Sequence, residues 1–143
     1  MGFDITDVIA NSMSAQRLRV NLAASNIANA ETTRTAEGGP YRRRDLVQAA
    51  QTVPPTTFGS ILDEMSLAKP VIVGVVQDNS PPRMVHQPGH PDANQEGYVA
   101  YPNINPVTTM VDLTNAARLY QAGATVLQTV SQMSQDARNI SRG

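Results

Sequence analysis

The feature that most constrains this chain is an apolar repeat in its last third, within residues 105–143. Apolar or small side chains alternate at intervals of three and four, which is how coiled-coil helices space the residues that face a partner. The members of this repeat are Met110, Leu113, Ala117, Tyr120, Ala124 and Leu127. At about 1.5 Å per residue the helix is roughly 55 Å long, more than the diameter of a compact domain that a chain of this size can build. It therefore needs a partner along its length.

The sequence also marks how this helix starts and continues. Asn105 is a favoured N-cap residue, and Pro106 suits the first helical position. After Leu127 the repeat shifts by one position and continues through Val130, Met133, Ala137 and Ile140. The remaining positions carry mostly Thr, Ser, Gln and Asn, whereas a helix in free solvent usually carries Glu and Lys pairs. Neutral polar flanks favour contact with other protein surfaces, where a buried charge would need a partner.

A second repeat of the same kind lies in the first thirty residues. Its members are Ile9, Met13, Gln16, Val20, Ala23 and Ile27, again spaced four and three apart. This helix should end near Asn29. Because the chain opens and closes with such helices, we expect them to pair with each other. The predicted fold is mainly α, with long N- and C-terminal helices paired as a coiled-coil-like core.

The middle of the chain differs in character from both helices. Nearly all the prolines and most of the glycines lie here, and no helical period survives. Extended segments are predicted at residues 41–47, 70–76, 83–86 and 97–101, the last three forming a small sheet. A flexible linker at 51–59 and a helical turn at 61–67 complete this Pro/Gly-rich segment with its small β-rich insert. The chain thus divides into an N-terminal core helix (1–30), an extended region with the insert (31–104) and a C-terminal core helix (105–143).

Composition excludes several classes of function. The formal charge is −1 over 143 residues, which argues against binding nucleic acid or an anionic membrane. The run Arg42-Arg43-Arg44 is better interpreted as a solvated or carboxylate-pairing surface than as a nucleic-acid site. Cysteine is absent, which removes disulfides, thiol nucleophiles and cysteine metal sites. We find no apolar run long enough to span a membrane and no cleavable signal, so we expect a cytoplasmic chain or export by another route.

One loop invites a catalytic interpretation. His86, His90 and Asp92 are residue types that bind zinc, and a small metal-dependent hydrolase could use them. The histidine pair of a metalloprotease lies on a helix, however, and Pro88 and Pro91 prevent a helix here. We therefore expect a proline-shaped loop with polar tips, and no enzyme activity, metal or cofactor.

Several blocks of sequence resemble a known family. Ser14-Ala15-Gln16 and the run Ala24-Ser25-Asn26-Ile27-Ala28-Asn29-Ala30-Glu31-Thr32 resemble the N-terminal signature of the bacterial flagellar rod and hook proteins. Further blocks narrow the resemblance to the proximal rod: Pro40-Tyr41-Arg42-Arg43, residues 89–105, Met110-Val111-Asp112 and residues 116–122. The blocks occur in collinear order over nearly the whole chain.

The resemblance implies a structural role in the basal-body rod, a hollow helical drive shaft for motility that spans the periplasm. Members of the family pack their terminal helices as coiled coils in the core of the assembly. The implied partners are other copies of the chain, neighbouring flagellar rod proteins and the flagellar type III export apparatus, which exports subunits without a cleaved signal. The candidate residues for helix packing and assembly are Ile9, Met13, Val20, Ile27, Met110, Leu113, Ala117, Tyr120, Ala124 and Leu127.

The sequence departs from the family at two places. Gly123 and Ala124 follow Tyr-Gln-Ala where members commonly have asparagine, and the last six residues are more polar than the family's tail. Glycine costs about 1 kcal/mol of helix propensity relative to alanine, but it permits a close helix approach. An alternative function is a coiled-coil interaction adaptor that does not polymerise, whose terminal helices would dock on one partner in a finite complex.

Overall fold

The computed structural model describes residues 5–51 and 69–140, and in these ranges it contains two long helices and two small antiparallel sheets. Helix α1 covers Ile5–Ala28, and helix α2 covers Pro106–Ile140. The strands are β1 (Arg44–Gln51), β2 (Lys69–Gln77), β3 (Arg83–His86) and β4 (Tyr98–Tyr101). The predicted N- and C-terminal helices around a small β insert are therefore confirmed.

Helix α2 begins where a local side chain satisfies the backbone. At the start of α2, the Asn105 side-chain oxygen accepts hydrogen bonds from the backbone N–H groups of Val107 (3.0 Å) and Thr108 (3.3 Å). This confirms Asn105 as the N-cap of a helix whose first residue is Pro106. Helix α1 ends at Ala28, next to the predicted end.

The two helices pack against each other in opposite directions. Gly123, at the middle of α2, lies against Ile9 and Met13 in the first half of α1. Near its own start, α2 faces the last turns of α1, where Ala116 and Ala23 line a common groove. We call the end where α1 finishes and α2 begins the closed end, and the other the open end. Since α2 has 35 residues and α1 has 24, α2 is about 16 Å longer, and its residues 131–140 are all exposed at the open end.

The strands form two sheets, so the predicted three-stranded sheet is wrong. Strand β1 pairs with β2, and β3 pairs with β4, both antiparallel. The extended segment predicted at 41–47 continues to Gln51 as β1. Strand β2 pairs with β1, whereas the prediction placed it in a sheet with the two later strands. Helix α1 contacts both β1 and β2, so the first sheet packs against a helix.

The β3–β4 hairpin is closed by a glycine that no other residue could replace without strain. Gly97 has a φ of 78°, and an added Cβ would lie 3.1 Å from His86 Nε2 and 3.2 Å from the Pro88 Cβ. Val99 and Pro102, which follow it, are fully buried. This hairpin therefore anchors the chain just before α2 begins.

Two sequence predictions fall outside the part of the chain that the structure describes. These are the helical turn at 61–67 and the linker at 51–59, of which Gln51 alone is described and belongs to β1. Within the described residues, neither helix has an apolar stretch of the length needed to cross a bilayer.

Candidate assembly surface

The face that α2 turns towards α1 is built on small residues. Its buried and half-buried positions are Thr109, Leu113, Ala116, Ala117, Gly123, Leu127 and Val130. All of these except Ala117 belong to one repeat with intervals of four and three. Tyr120, which is 38% exposed, occupies the remaining position of this repeat. Thr109, Ala116 and Gly123 are small and lie seven residues apart, so they bring the two helix backbones close together.

Gly123 marks a very close contact between the helices. A Cβ added at this position would lie 2.7 Å from Met13 Cγ, which is closer than two carbon atoms can pack. The glycine that departs from the family pattern therefore accommodates Met13. The prediction that this position allows a close helix approach is confirmed.

The structure divides the predicted assembly residues into two groups. Half-buried ones are Ile9, Met13, Val20, Ile27, Leu113, Ala117 and Leu127. Exposed ones are Met110 (54%), Tyr120 (38%) and Ala124. Prediction placed the α2 repeat on Met110, Ala117 and Ala124, whereas the seam towards α1 runs through the residues one position before each of them. The role of all these residues in assembly stays a prediction.

Sequence reasoning missed the small residues of the seam because it favoured larger apolar side chains. The signal was present, since Thr109, Ala116, Gly123 and Val130 form an unbroken series with a period of seven. Of the residues predicted to continue the repeat after Leu127, the structure buries only the first in part. Val130 is half-buried, whereas Met133, Ala137 and Ile140 are exposed on the part of α2 that extends past α1.

At the closed end, Asn26 joins α1 to the first sheet. Its side-chain amide donates to the Arg44 carbonyl (2.9 Å) and accepts from the Arg44 backbone N–H (3.0 Å), as a neighbouring strand would. The Tyr41 hydroxyl also donates to the Asn26 oxygen (3.2 Å) and lies 3.3 Å from the Ser25 hydroxyl. Asn26 is 2% exposed, so these bonds satisfy a buried polar group. The asparagine of the signature run thereby positions β1.

The turn after α1 uses a second asparagine of the same run. The Asn29 side chain donates to the Ser25 carbonyl (2.9 Å) and accepts from the Thr32 hydroxyl (3.2 Å). The Thr32 carbonyl in turn accepts from the Tyr41 backbone N–H (3.0 Å). The turn is therefore held between the end of α1 and the start of the first sheet, and sequence reasoning assigned no role to these side chains.

A groove opens at the closed end between α1, α2 and β1. It has a volume of about 470 Å³ and is lined by residues that include Gln16, Ala23, Leu46, Asp112 and Ala116. Gln16 Oε1 is buried there and has no hydrogen-bond partner among the described residues. Buried oxygens normally accept a hydrogen bond, so this groove holds a polar atom whose hydrogen bonding the described residues do not satisfy.

The outward surface of the chain carries many apolar side chains. On β2, Ile72, Val73, Val75 and Val76 are between 39% and 64% exposed. On α2, the exposed apolar residues are Val107, Met110, Val111, Leu119, Tyr120, Val126, Met133 and Ile140. Apolar side chains at helical spacing on an exposed face mark a protein interaction surface.

The histidine loop has a structural explanation. The His86 ring packs edge-on against Tyr98, with 5.0 Å between centroids, and His90 Nδ1 accepts from the Asp92 backbone N–H (3.1 Å). The Asp92 carboxylate accepts from the Thr33 hydroxyl (2.8 Å) and pairs with Arg34. The Thr33 hydrogen bond lowers the pKa of Asp92; partial burial opposes this shift, and the Arg34 charge adds to it. Among the described residues, no three ligand-type side chains are grouped as a metal site requires.

The arginine triplet is dispersed over three different contacts. Arg42 donates to the Asn79 side chain (2.9 Å), Arg43 pairs with Asp45 (3.0 Å), and Arg44 lies 5.8 Å from the centre of the Tyr41 ring. The three guanidinium groups thus do not form one basic patch. This supports the interpretation of the triplet as a polar surface with local partners.

Comparisons with known proteins identify the family. A family model described as the flagellar basal body rod FlgEFG protein C-terminal region matches residues 95–140. The flagellar basal-body rod protein FlgC of Borreliella burgdorferi is 34% identical over 99% of this chain and 98% of its own. The FlgC protein of Bacillus subtilis is 35% identical over 98% of this chain and 98% of its own length. The FlgC protein of Salmonella typhimurium is 35% identical over 91% of this chain and 90% of its own length. The chain therefore belongs to the FlgC family of flagellar basal-body rod proteins, which are structural proteins and not enzymes.

Proposed function

We propose that this chain is a structural subunit of the proximal rod, and that its terminal helices pair as a coiled coil and assemble with further copies and with neighbouring rod proteins. One observation carries the proposal: α1 and α2 pack together, yet α2 is about 16 Å longer, and its residues 131–140 are exposed with apolar side chains among them. An isolated helical stretch of this kind gains most of its stability from packing. Neighbouring subunits supply that packing.

The neutral polar flanks of α2 fit this role. Its last ten described residues include Ser131, Gln132, Ser134 and Gln135 beside the apolar positions. Such side chains form hydrogen bonds across an interface without the desolvation cost of unpaired charges. An open helical assembly also requires two different faces on each subunit, and a chain whose two ends differ as these do supplies them.

Complementation in cells that lack the native chain tests the proposal. Leu113→Asp and Leu127→Asp place a charge in the helix seam, so we expect loss of motility and absence of the chain from purified basal bodies. The matched controls are Thr114→Asp and Gln128→Asp on exposed positions of the same helix. Normal rod assembly with both seam variants would contradict the proposal.

Electron cryo-microscopy of the same basal bodies gives an independent measurement. We expect density for the antiparallel helix pair inside the rod wall. A soluble complex of fixed stoichiometry, with the chain absent from the rod, would instead indicate the non-polymerising adaptor.

We infer that the chain reaches the rod through the flagellar type III export apparatus, without a cleaved signal. Membership of the FlgC family supports this inference. Mass spectrometry of the assembled chain should find the N-terminal peptide intact. An inactive export apparatus should keep the chain inside the cell, and export by such cells would contradict the inference.

A further inference from the structure

Helix α2 carries two apolar stripes beside the seam that faces α1. The long stripe has one large residue every seven positions: Leu119, Val126, Met133 and Ile140, which are 55%, 47%, 66% and 82% exposed. The short stripe has the same period: Met110, Ala117 and Ala124, of which Met110 and Ala124 are exposed and Ala117 is half-buried. Neither stripe is part of the series of small residues that packs on α1.

The two stripes lie on opposite flanks of the seam. Successive residues of an α-helix are rotated by about 100°, so positions seven apart share nearly the same direction. Taking the long stripe as zero, the Ala116 series lies at about 40°, the Leu113 series at about 100° and the short stripe at about 140°. The seam towards α1 therefore occupies the space between the stripes. A subunit placed against one stripe leaves the other free.

The long stripe follows the side of α2 that faces the first sheet. Asp112, seven residues before Leu119, lines the groove together with Arg44 and Leu46 of β1. From Leu119 onwards the residues at this position of the repeat are apolar and exposed. The flank thus changes from polar at the groove to apolar beyond it.

The stripes are also complementary in size. The long stripe presents Leu, Val, Met and Ile, whereas the short stripe presents Ala117 and Ala124 after a single large residue, Met110. In knobs-into-holes packing, large side chains enter the spaces that small ones leave on the facing helix. A stripe packed on its own copy would instead bring large residues against large ones. Two different faces joined in this way form a heterologous contact, which can repeat along an open helix.

We propose that the long stripe of one copy packs on the short stripe of a second copy, so that adjacent subunits of this chain are joined side by side through α2. The occupant is a second copy because both complementary surfaces lie on this chain and both are continuous with the α1–α2 seam. The proposal rests on the proposed rod function, which places several copies in one assembly.

Disulfide trapping in assembled basal bodies tests this contact, and the chain's lack of cysteine leaves no background from the chain itself. Met133→Cys is combined in turn with Met110→Cys, Ala117→Cys and Ala124→Cys. Within one α2 these pairs are nine or more residues apart, about 13 Å, which is too far for an internal disulfide. At least one pair should yield, after oxidation, a product of twice the 15.4 kDa chain mass.

The controls combine Met133→Cys with Arg118→Cys or Thr125→Cys, which lie at about 260° and 240° on the exposed face between the two stripes and opposite the seam. These should give at least ten-fold less dimer. If Met133→Cys prevents incorporation into the rod, Val126→Cys is used in its place and is combined in turn with Met110→Cys and Ala117→Cys.

The outcomes separate this inference from the proposed function. Incorporated variants that give no dimer, or as much dimer with the controls, would overturn the stripe contact alone. A cross-linked product of another mass would assign the stripe to a different rod protein and would overturn the choice of a second copy. Absence of the unsubstituted chain from basal bodies would overturn both proposals.

Discussion

The closed and open ends of the helix pair are stabilised by different means. At the closed end, Asn105 caps α2, Asn26 holds the backbone of β1, and Thr109 and Ala116 are buried. At the open end every described residue after Val130 is exposed, and Met133 and Ile140 are 66% and 82% exposed. The chain therefore completes one end with its own side chains. We infer that the other end is completed by neighbouring subunits.

The largest loss of stability is expected at Asn26, which lies at the closed end. Asn26→Ala leaves the Arg44 peptide and the Tyr41 hydroxyl without their partner, and we expect a loss of about 2 to 3 kcal/mol in the free energy of unfolding. Urea unfolding of the full-length chain, followed by circular dichroism, measures it. The open-end control is Asn11→Ala, since Asn11 donates only to the Asp7 carbonyl one turn before it (2.6 Å). Equal losses for the two variants would contradict the contrast between the ends.

The N-cap of α2 should give the next largest effect. Asn105→Ala removes the acceptor for the Val107 and Thr108 N–H groups, and we expect a loss of about 1 kcal/mol. The same substitution at Asn139, an exposed position of the open end, should leave stability unchanged or slightly raised, because alanine has the higher helix propensity. Equal losses in the free energy of unfolding at the two positions would show that the Asn105 cap does not stabilise the closed end.

Gly123 is a tight contact at the middle of α2, between the closed and the open end. Gly123→Leu gains about 1 kcal/mol of helix propensity but overpacks Met13 by about 1 to 3 kcal/mol, so we expect a net loss of about 1 kcal/mol. In a Met13→Ala background the added side chain fills the vacated space, and the same substitution should become stabilising. Ala122→Leu, on the exposed neighbouring position, is the control. If the Met13 background does not reverse the sign, the helices do not meet at this glycine.

The smallest expected effect concerns Asp92, which links the second hairpin to the turn after α1 through Thr33. Its pKa is lowered in the folded chain, so the carboxylate stabilises the fold above its ordinary pKa, and this contribution is lost as pH falls through the lowered value. Thr33→Val should raise the pKa of Asp92 towards its ordinary value, and carboxyl NMR titration measures the shift. Asp78, whose pKa is lowered chiefly by the Ser80 side chain, serves as the internal control. An unchanged Asp92 pKa would assign the shift to groups other than Thr33.

The helices and their polarity could be predicted because their signals are local. Asn105 and Pro106 mark the start of α2, and the heptad intervals mark its apolar side. The sheet pairing could not be predicted in the same way. Strand β1 ends in Gln48-Ala49-Ala50-Gln51, residues with little strand propensity, and it is extended because β2 and α1 provide backbone and side-chain partners.

The mainly α fold, the two long helices and the resemblance that the FlgC relatives confirm follow from the sequence alone, because periodicity, caps and short signature blocks act over a few neighbouring residues. Which face of α2 meets α1 depends on tertiary packing. Two heptad series that are one residue apart could both face α1, one through Ala116 and Gly123 and the other through Ala117 and Ala124. The series with Ala116 and Gly123 packs on α1 because the close approach of the two backbones at Met13 requires small residues. Met110 and Ala124 were thereby left on the surface, and they are available for a neighbouring subunit.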